Sequence, residues 1–589
     1  MLSIAVLALG FALQKDDWQT YYEKSGFVET GTYQEAVDYC RKLAGATRDA
    51  KVISFGKSPE GREMIALVIS TSHDFTAKQA ANSKKPLIFV QNGIHSGEIE
   101  GKDASLLLAR DLIIDGKFPE LLRNENILIV PVFSVDAHER SSPYNRINQN
   151  GPTDMGWRAT AQNLNLNRDY MKADAGEMRN ELKLLHSWKP DFFFDNHTTD
   201  GADYQYTITL DLPFAQTQDA ALAVWSRQCY DEVKGKLDSK GYLTAPYLEL
   251  RDAGDPSKGF AVDDYPPRYS NGYMAAMNRA SMLVETHMLK PYKDRVDSTY
   301  WAMVYTMQRC ARTAGDLKAM GRNADLAESR VPGEGKKVVL ASVVTDEKKP
   351  FTFKAWTYTP YQSEISGAKV NAWDRTKPID VASFVQDQYR PALTVTLPAA
   401  YAVPPQWKDV QELLALHGIK GFKVEVATGM DFATDKFSNI KFDSMPFESR
   451  FMPSFTATPI IEKRTLLPGT MIYPTQQIGQ KLLAQLMEPD APDSLAHWGF
   501  FNVMFEGKEY FEDYSMEPIA KKMYDSDAAL RAEFDEKVKS DAKFAGSARA
   551  RLQFFYERSP YYDMWLDKYP VVRLDAKQLQ MFSSHEPVD

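Results

Sequence analysis

Cysteine is scarce in this sequence, and the scarcity limits the chemistry that cysteine can support here. The 589 residues include three cysteines, Cys40, Cys229 and Cys310, which lie far apart in the chain. Three isolated cysteines form neither the disulfide framework of a small secreted scaffold nor the CxxC pairs of a cysteine zinc site. One disulfide bridge is compatible with this count, but we expect isolated buried thiols.

An excess of positive charge is also missing. The chain has 70 lysines and arginines against 79 aspartates and glutamates, which gives a formal net charge of -9 at pH 7. No block of basic residues interrupts this balance. Because nucleic acids and anionic membranes attract basic surfaces, we expect neither to be the main partner. The composition leaves the oligomeric state open.

Long hydrophobic runs are absent except at the N-terminus. Residues 2–13 read LSIAVLALGFAL, a run too short to cross a bilayer as a helix, and a polar QKDD string follows. This pattern resembles the apolar centre of a secretory signal peptide, so we predict a signal peptide in residues 1–15 and a secreted or periplasmic protein. No lysine or arginine precedes the run, and a buried strand or helix is the alternative. We expect no stable membrane insertion elsewhere.

The chain is long enough for two or three domains, and its first half alternates between strand and helix patterns. Apolar runs predict a hairpin at 51–70 and strands at 86–91, 126–133, 191–195 and 281–284. Helical spacing predicts helices at 34–46, 98–114, 175–188, 220–237 and 293–320. This alternation predicts an α/β fold with a mixed, largely parallel central sheet flanked by helices.

A change of composition divides the chain near residue 330. Residues 328–337 read ESRVPGEGKK, which is typical of a linker. We therefore expect a catalytic domain at 16–330 and a C-terminal α+β region at 336–589 that is rich in strands at first. Strand-like runs occur there at 338–344, 351–358, 392–397 and 421–426, with a helix at 410–417. No motif in this region points to a reaction, and its role is left open.

The strongest chemical signal is the string HSGE at residues 95–98, which follows a buried-type strand, together with a distant His197. Two imidazoles and one carboxylate form the ligand set of a catalytic zinc, with a fourth position left for water. We predict that His95, Glu98 and His197 bind one Zn²⁺ ion. Taken alone, His95 is interpreted as a histidine in a surface loop and His197 as a histidine that caps a strand. Taken together, the residues favour a metal site.

Several stretches resemble the zinc carboxypeptidase family, in the order in which that family has them. They are NGIHSGE at 92–98, LNRDY at 166–170, DNHT at 195–198 and LVET at 283–286, with FGKSPEGR at 55–62 as a weaker match. The resemblance covers roughly residues 35–320. It implies a zinc-dependent hydrolase that acts on a peptide substrate and has the mixed sheet of that family.

The resemblance gives Glu285 a catalytic role. When zinc lowers the pKa of a bound water, a second group must take the proton and pass it to the leaving amine. We predict that Glu285 is this general base and then general acid. The structural alternative is a carboxylate paired with His287 or Arg279. If His287 shares a strand face with Glu285, it tunes that glutamate; more simply, it lies just past the strand end.

The resemblance also implies that Asn167 and Arg168 bind the free carboxylate at the end of the substrate. A guanidinium group binds a carboxylate through two parallel hydrogen bonds, and this contact distinguishes a carboxypeptidase from an endopeptidase. The structural alternative is an asparagine-rich turn within residues 162–167.

The sequence departs from the family pattern in three places, which affects the substrate more than the zinc chemistry. A loop that usually reads NPDG reads SVDA at 134–137. Three arginines occupy the interval of an oxyanion-stabilising arginine, and we assign the role to Arg146; the three are Arg140, Arg146 and Arg158. Three tyrosines qualify for a mobile active-site tyrosine: Tyr265, Tyr269 and Tyr273. Arg268, between them, is a candidate for a second substrate contact.

These residues favour a zinc metallocarboxypeptidase that hydrolyses the C-terminal amide bond of peptides. The alternative keeps the metal and changes the bond: a zinc-dependent deacylase or amidohydrolase that acts on an N-acylated amino acid or a cell-wall peptide. A third reading, a binding protein with a vestigial metal site, is disfavoured because the two histidines and two glutamates are all present.

Overall fold

The centre of the first 330 residues is one mixed sheet, seen in a computed structural model that describes residues 18–213, 217–252 and 255–582. The first ten strands are β1 (Ala50–Lys57), β2 (Glu63–Ile69), β3 (Leu87–Asn92), β4 (Asn126–Val130), β5 (Phe192–Thr199), β6 (Ile208–Asp211), β7 (Thr244–Pro246), β8 (Glu249–Leu250), β9 (Phe260–Ala261) and β10 (Ala280–His287). Eight of them form this sheet, in the order β1-β2-β4-β3-β5-β10-β6-β7.

The middle of the sheet is parallel. β3 runs parallel to β4 and β5, and β5 runs parallel to β10, whereas β1, β2 and β6 add antiparallel pairings. Every residue of β3, β5 and β10 is buried. Strands in the parallel part of a sheet are usually buried on both faces, because helices cover both. The architecture confirms the predicted mixed, largely parallel α/β fold.

Helices cover both faces of this sheet. They are α1 (Tyr21–Lys24), α2 (Tyr33–Ala46), α3 (Ala77–Asn82), α4 (Glu100–Ile113), α5 (Pro119–Asn124), α6 (Val135–Glu139), α7 (Gly176–Trp188), α8 (Ala220–Ser239), α9 (Ser270–Ala276), α10 (Tyr292–Arg312) and α11 (Ala314–Arg330), with short 3-10 turns at Leu166–Arg168 and Pro256–Lys258. The helix predicted at 293–320 is two helices, because the backbone leaves helical geometry at Thr313.

The C-terminal region holds ten further strands and seven helices in its described part. The strands are β11 (Lys337–Val344), β12 (Lys349–Gln362), β13 (Lys369–Gln386), β14 (Tyr389–Thr396), β15 (Ala400–Val403), β16 (Phe422–Lys423), β17 (Thr428–Phe442), β18 (Pro453–Leu466), β19 (Met471–Pro474) and β20 (Val572–Leu574). The helices are α12 (Lys408–Leu416), α13 (Gln480–Met487), α14 (Asp513–Ser526), α15 (Ala528–Ser540), α16 (Ala542–Ala545), α17 (Ala548–Tyr556) and α18 (Ala576–Phe582), with a 3-10 turn at Asn502–Phe505.

Two long hairpins, β12–β13 and β17–β18, tie this region to the first one. β13 pairs in parallel with β9, and β9 pairs with β8, so that one sheet contains strands from both regions. One hydrophobic core also runs through both, from Phe193 to Tyr401, Leu413 and Trp498. The division of the chain at 330–336 stays a prediction, since the two parts share this core.

The predicted signal peptide at 1–15 lies outside the described residues. Cys40, Cys229 and Cys310 are buried and free, as expected. Among the described ranges, no helix has the length and apolar character that crossing a membrane requires.

Candidate active site

Three neighbouring parallel strands bring the predicted zinc ligands and Glu285 to one edge of the sheet. Asn92, the last residue of β3, is the register partner of Asn196 on β5, and His197 is the register partner of Glu285 on β10. Directly opposed residues of paired strands point to the same face. His197 and Glu285 are therefore side by side on that face, and the loop after β3 delivers His95 beside them.

Two glycines shape the loop that carries His95 and Glu98. Gly93 has a φ of 64°, in the left-handed region that glycine occupies without strain, and it turns the chain sharply after β3. Gly97 permits a close approach, because a Cβ atom there would lie 2.7 Å from Cγ of Arg146. The backbone N–H of Glu98 closes the turn on the carbonyl of His95 at 2.9 Å. The Gly in the HSGE string is thus needed for packing beside Arg146.

His95, Glu98 and His197 form a buried cluster in which one donor atom from each lies within 4.8 Å of the others. Nδ1 of His197 lies 3.0 Å from Oε2 of Glu98, and Nδ1 of His95 lies 3.2 Å from Oε1. Nδ1 of His95 is buried, and its contact with Glu98 lacks the geometry of a hydrogen bond. An unsatisfied ring nitrogen beside a second imidazole and a carboxylate fits the His₂Glu donor set of zinc.

A second layer of residues fixes the orientation of both imidazoles. Nε2 of His95 lies 2.9 Å from Oδ1 of Asn165, and Nε2 of His197 lies 2.9 Å from Oδ2 of Asp195. Asp195 is itself held by hydrogen bonds from Gln91 and Ser270. Since the outer nitrogen of each ring is engaged, Nδ1 of each is left facing the centre, as in histidines that bind metals.

The charges of the cluster support one another. Burial alone raises the pKa of Glu98, but His95, Arg146 and His197 outweigh burial and hold the pKa well below its usual range. Burial likewise lowers the pKa of His197, but Asp195 and Glu98 outweigh it and raise the pKa well above normal. The carboxylate of Glu98 is therefore ionised across the ordinary pH range, as a metal ligand must be.

Glu285 faces this cluster and is 7% exposed. Its Oε2 has no hydrogen-bond partner among the described residues. Burial raises the pKa of Glu285 to about 8, and the nearby Glu98, Asp195 and Glu100 carboxylates add to the shift while His197 opposes it. A buried carboxyl group with a free oxygen beside a ligand cluster has the placement of a general base.

The pairing alternatives for Glu285 are wrong in this structure. Arg279 binds Asp325 through two hydrogen bonds of 3.0 and 2.7 Å. His287 is the last residue of β10 rather than a residue just past it. Its Nε2 lies 3.0 Å from the carbonyl of Ala202, and its Nδ1 accepts from the N–H of Leu289. Neither base contacts Glu285, which leaves the glutamate directed at the pocket.

Two of the three candidate arginines reach Glu98. Nη2 of Arg146 donates to Oε1 of Glu98 at 2.8 Å, and Nη1 of Arg158 donates to the same oxygen at 3.2 Å. Arg146 is the more firmly held, since its side chain is 10% exposed against 46% for Arg158 and its Nε donates to Gln149. Arg140 lies elsewhere, with its guanidinium 4.6 Å from the ring of Trp157.

Asn167 and Arg168 lie on the 3-10 turn beside the cluster and line the same pocket. Arg168 donates to the carbonyl of Asn167 at 2.6 Å and lies 4.3 Å from the centre of the Tyr269 ring. Burial lowers the pKa of Arg168. Oδ1 of Asn167 is buried without a partner in the described ranges. Among the described residues this guanidinium contacts a carbonyl and a ring, and such a partly buried group is suited to receive a carboxylate.

The structure separates the three candidate tyrosines. Tyr265 and Tyr269 line the pocket. Tyr273 is wrong as a candidate, because it is fully buried and hydrogen-bonds His186 and His417 away from the pocket. Arg268 is also wrong as a substrate contact. It pairs with Asp493 at 2.6 Å and lies over the ring of Trp498, so it joins the two regions of the chain.

A pocket of about 220 Å³ opens at this edge of the sheet and continues past Glu285. Its floor includes Asp211, the register partner of Leu283 on β10, and Asn271. Asp211 is 5% exposed and accepts a hydrogen bond of 2.8 Å from Nδ2 of Asn271, whose own Oδ1 has no partner in the described chain. Burial raises the pKa of Asp211 to about 6. Two buried acceptor groups, the carboxylate of Asp211 and Oδ1 of Asn271, thus belong to residues that line the pocket.

Five residues at or beside this pocket had not been predicted. Asp211, Tyr247 and Asn271 line the pocket, whereas Asn165 and Asp195 contact His95 and His197 without lining it. For Asp195 a signal was present, because residues two apart on a strand share a face and Asp195 precedes His197 by two. No pattern in the sequence marks Tyr247. The charge of Glu285 is the largest cause of the raised pKa of Tyr247, so the two side chains lie near each other.

Part of the chain is similar to known carboxypeptidases. Residues 36–237 match the family model described as zinc carboxypeptidase. A protein named Carboxypeptidase 2 from Trichophyton rubrum is 21% identical over 460 residues, covering 76% of this chain and 79% of the relative. Its namesake from Trichophyton tonsurans is 22% identical over 484 residues, with the same shares covered.

Two solved structures resemble the chain over about half of its length. Carboxypeptidase A from Helicoverpa armigera is 17% identical with a TM-score of 0.37, covering 52% of this chain and 82% of that chain. A metallo-carboxypeptidase from Burkholderia cenocepacia is 15% identical with a TM-score of 0.35, covering 47% and 70%.

Proposed function

We propose that the protein is a zinc metallocarboxypeptidase that hydrolyses the C-terminal amide bond of peptides, on the premise that residues 36–237 match the zinc carboxypeptidase family model. The observation that supports this most directly is the convergence of His95, Glu98 and His197 opposite Glu285. Zinc bound by these three residues would activate a water molecule and polarise the substrate carbonyl.

Glu285 is the proposed proton acceptor and donor. Its unpartnered Oε2 takes a proton from the attacking water, and the same carboxyl group returns the proton to the leaving amine. Arg146, which is held against Glu98 and Gln149, is the proposed donor to the oxyanion that forms on the substrate. Both side chains are largely buried and already oriented, which suits preorganised catalysis.

Asn167 and Arg168 are the proposed receptors of the substrate's free carboxylate. The guanidinium of Arg168 has no carboxylate within ion-pairing distance in the described ranges, so its strongest available partner is an anion brought by a ligand. This feature favours a carboxypeptidase over an endopeptidase. Export, which rests on residues 2–13, stays a prediction.

A panel of substrates tests the proposed reaction. Purified protein loaded with zinc should release the last residue from an N-blocked dipeptide with a free carboxylate, and it should leave the matching C-terminal amide intact. Activity should be lost in a chelator and should return with zinc. Release of acetate or succinate from acylated amino acids, or cleavage of a cell-wall stem peptide alone, would favour the deacylase alternative instead.

The pocket floor points to a preferred side chain at the cleaved residue. Asp211 is the register partner of Leu283, and Leu283 lies two residues before Glu285 on β10. The side chain of Asp211 is therefore diagonal to that of Glu285, at about 7–8 Å. A lysine or arginine side chain spans that distance, and a buried carboxylate without a cation gains most from such a partner. We therefore propose a preference for peptides that end in lysine or arginine.

Replacing Asp211 with asparagine should reduce this preference. We expect the ratio of kcat/KM for a peptide ending in arginine over one ending in leucine to fall by about 30-fold, because a buried charge pair loses one partner. Asp200, an exposed carboxylate that lines the same pocket, offers a matched control, since its change to asparagine should leave the ratio unaltered.

The same preference should depend on pH. Burial raises the pKa of Asp211 to about 6, so the group loses its charge as the pH falls below about 6 and the ratio should decline there. A wild-type ratio near one at pH 7.5 would contradict the assignment.

A further inference from the structure

The tip of the β17–β18 hairpin reaches from the C-terminal region to the edge of the candidate active site. In the segment 443–452, Phe447 and Arg450 exchange both backbone hydrogen bonds, so Glu448 and Ser449 form a two-residue turn. Their φ angles are 48° and 69°. Such a turn favours asparagine and glycine. Here two other residues adopt it, which indicates that contacts beyond the turn determine its sequence.

Glu448 makes the contact that links this tip to the site. Its Oε2 accepts a hydrogen bond of 2.8 Å from the backbone N–H of Asn165. Oδ1 of Asn165 in turn accepts from the N–H of Asn167 at 3.0 Å and lies 2.9 Å from Nε2 of His95. Asn165 therefore starts the 3-10 turn that carries Asn167 and Arg168 while it orients a predicted zinc ligand. Glu448 holds the backbone of that residue.

Neighbouring contacts keep Glu448 in place. Arg450 binds both carboxylate oxygens of Asp174 at 2.6 and 2.8 Å, and its guanidinium lies 4.0 Å from the ring of Phe500. Phe447 stacks on Trp498 with ring centres 6.1 Å apart. The tip is thus anchored on both sides of Glu448. Because the backbone there is already held in place, ordering the Glu448 side chain costs less conformational entropy.

We propose that Glu448 is a positioning residue of the active site, through which the C-terminal region holds Asn165 and the turn that presents Asn167 and Arg168 to the substrate carboxylate. Without Glu448, the N–H of Asn165 loses its acceptor at the start of the turn, and the turn is less firmly placed. This inference depends on the proposed carboxypeptidase function.

Three substitutions in the full zinc-loaded chain test the proposal. Glu448→Ala removes the acceptor, Glu448→Asp keeps the charge but withdraws it from the Asn165 N–H, and Glu448→Gln keeps an oxygen at the right distance without the charge. We expect KM for a free-acid peptide to rise about tenfold in the Ala and Asp variants, with a smaller change in kcat, because a hydrogen bond to a charged group is lost. The Gln variant should stay within about threefold of the wild type.

A binding measurement separates positioning from a general effect on folding. Calorimetric titration with free arginine, as released product, should show weaker binding to the Ala and Asp variants, whereas argininamide should bind all proteins equally weakly. Asp443→Asn, in an exposed carboxylate of the same segment, should match the wild type. Thermal melting identifies a variant that fails to fold, and the conservative Asp variant then decides the question.

Two results would overturn the proposal and leave the proposed function intact. They are wild-type KM and product affinity in both the Ala and Asp variants, or a Gln variant as impaired as Ala. A wild-type protein that removes no C-terminal residue from any peptide would instead refute the proposed function itself.

Discussion

Replacing Glu285 with glutamine should lower kcat by at least about 100-fold while the protein keeps its zinc. Glutamine has nearly the same shape but cannot accept a proton. Glu285 faces His197 across two parallel strands and has an unpartnered oxygen directed at the pocket. Since the substitution removes no predicted zinc ligand, metal content and melting temperature should stay near those of the wild type. Steady-state kinetics and metal analysis on the same preparation check both halves of this expectation.

Glu181 offers a closely matched control for that experiment. It is wholly buried, and burial raises its pKa to about 8, as for Glu285, but it is not among the residues that line the pocket. Glu181→Gln should therefore leave kcat unchanged. If Glu285→Gln retained turnover within a few-fold of the wild type, Glu285 would be excluded as the proton acceptor.

Replacing His197 with alanine should abolish zinc binding. A catalytic zinc has three protein ligands, and the loss of one leaves His95 and Glu98 alone. The variant should retain little zinc after dialysis, whereas the wild type should hold one ion per chain. His95→Ala should behave in the same way, because its Nδ1 faces the same centre.

Thermal stability gives an independent measure of the same change. A ligand that binds only the native state raises the melting temperature, and its removal lowers it. A chelator should therefore destabilise the wild type but not the His197→Ala protein. His287→Ala is the control, because His287 lies on β10 with its nitrogens bound to Ala202 and Leu289, and its zinc content should be unchanged. A full zinc complement in His197→Ala would disprove the ligand assignment.

The sequence was informative about the site because its key residues lie on buried strands. β3, β5 and β10 each contain an apolar run that can be located from the sequence, and polar residues follow that run at the carboxyl end of the strand. His197 and Glu285 are placed by the register of β5 and β10, and His95 by the loop that follows β3. The mixed α/β fold was predicted from the alternation of strands and helices and is confirmed, and residues 36–237 match the family model that the motifs resembled. The division of roles among the site residues stays a prediction.

Residues delivered by loops were less predictable. Asn165 contacts His95 and Tyr247 lines the pocket, and neither placement leaves a periodic pattern in the sequence. Arg146 and Arg158 both reach Glu98, although they are twelve positions apart, so spacing alone could not separate them. Tyr273 and Arg268 looked eligible by position, but hydrogen bonds with His417 and Asp493 direct them away from the pocket.

The C-terminal region was predictable in part for a different physical reason. β11, β12 and β14 were expected, since they carry apolar residues at strand spacing. β13 was missed, because it is exposed over much of its length and contains Pro378 and several charged residues. β17 and β18 are likewise mixed in polarity. Strands stabilised mainly by their partner in a hairpin show little of the alternation that a buried face imposes.

The ion pair between Arg450 and Asp174 bears on how proteins of this type can diverge. A domain that is joined to its neighbour by a linker alone can be exchanged by recombination without disturbing the catalytic residues. Here a recombination event between residues 331 and 336 would separate Arg450 from Asp174 and Glu448 from Asn165. The two halves are therefore expected to be inherited together, and substitutions at 165–174 should be accompanied by compensating changes at 443–452.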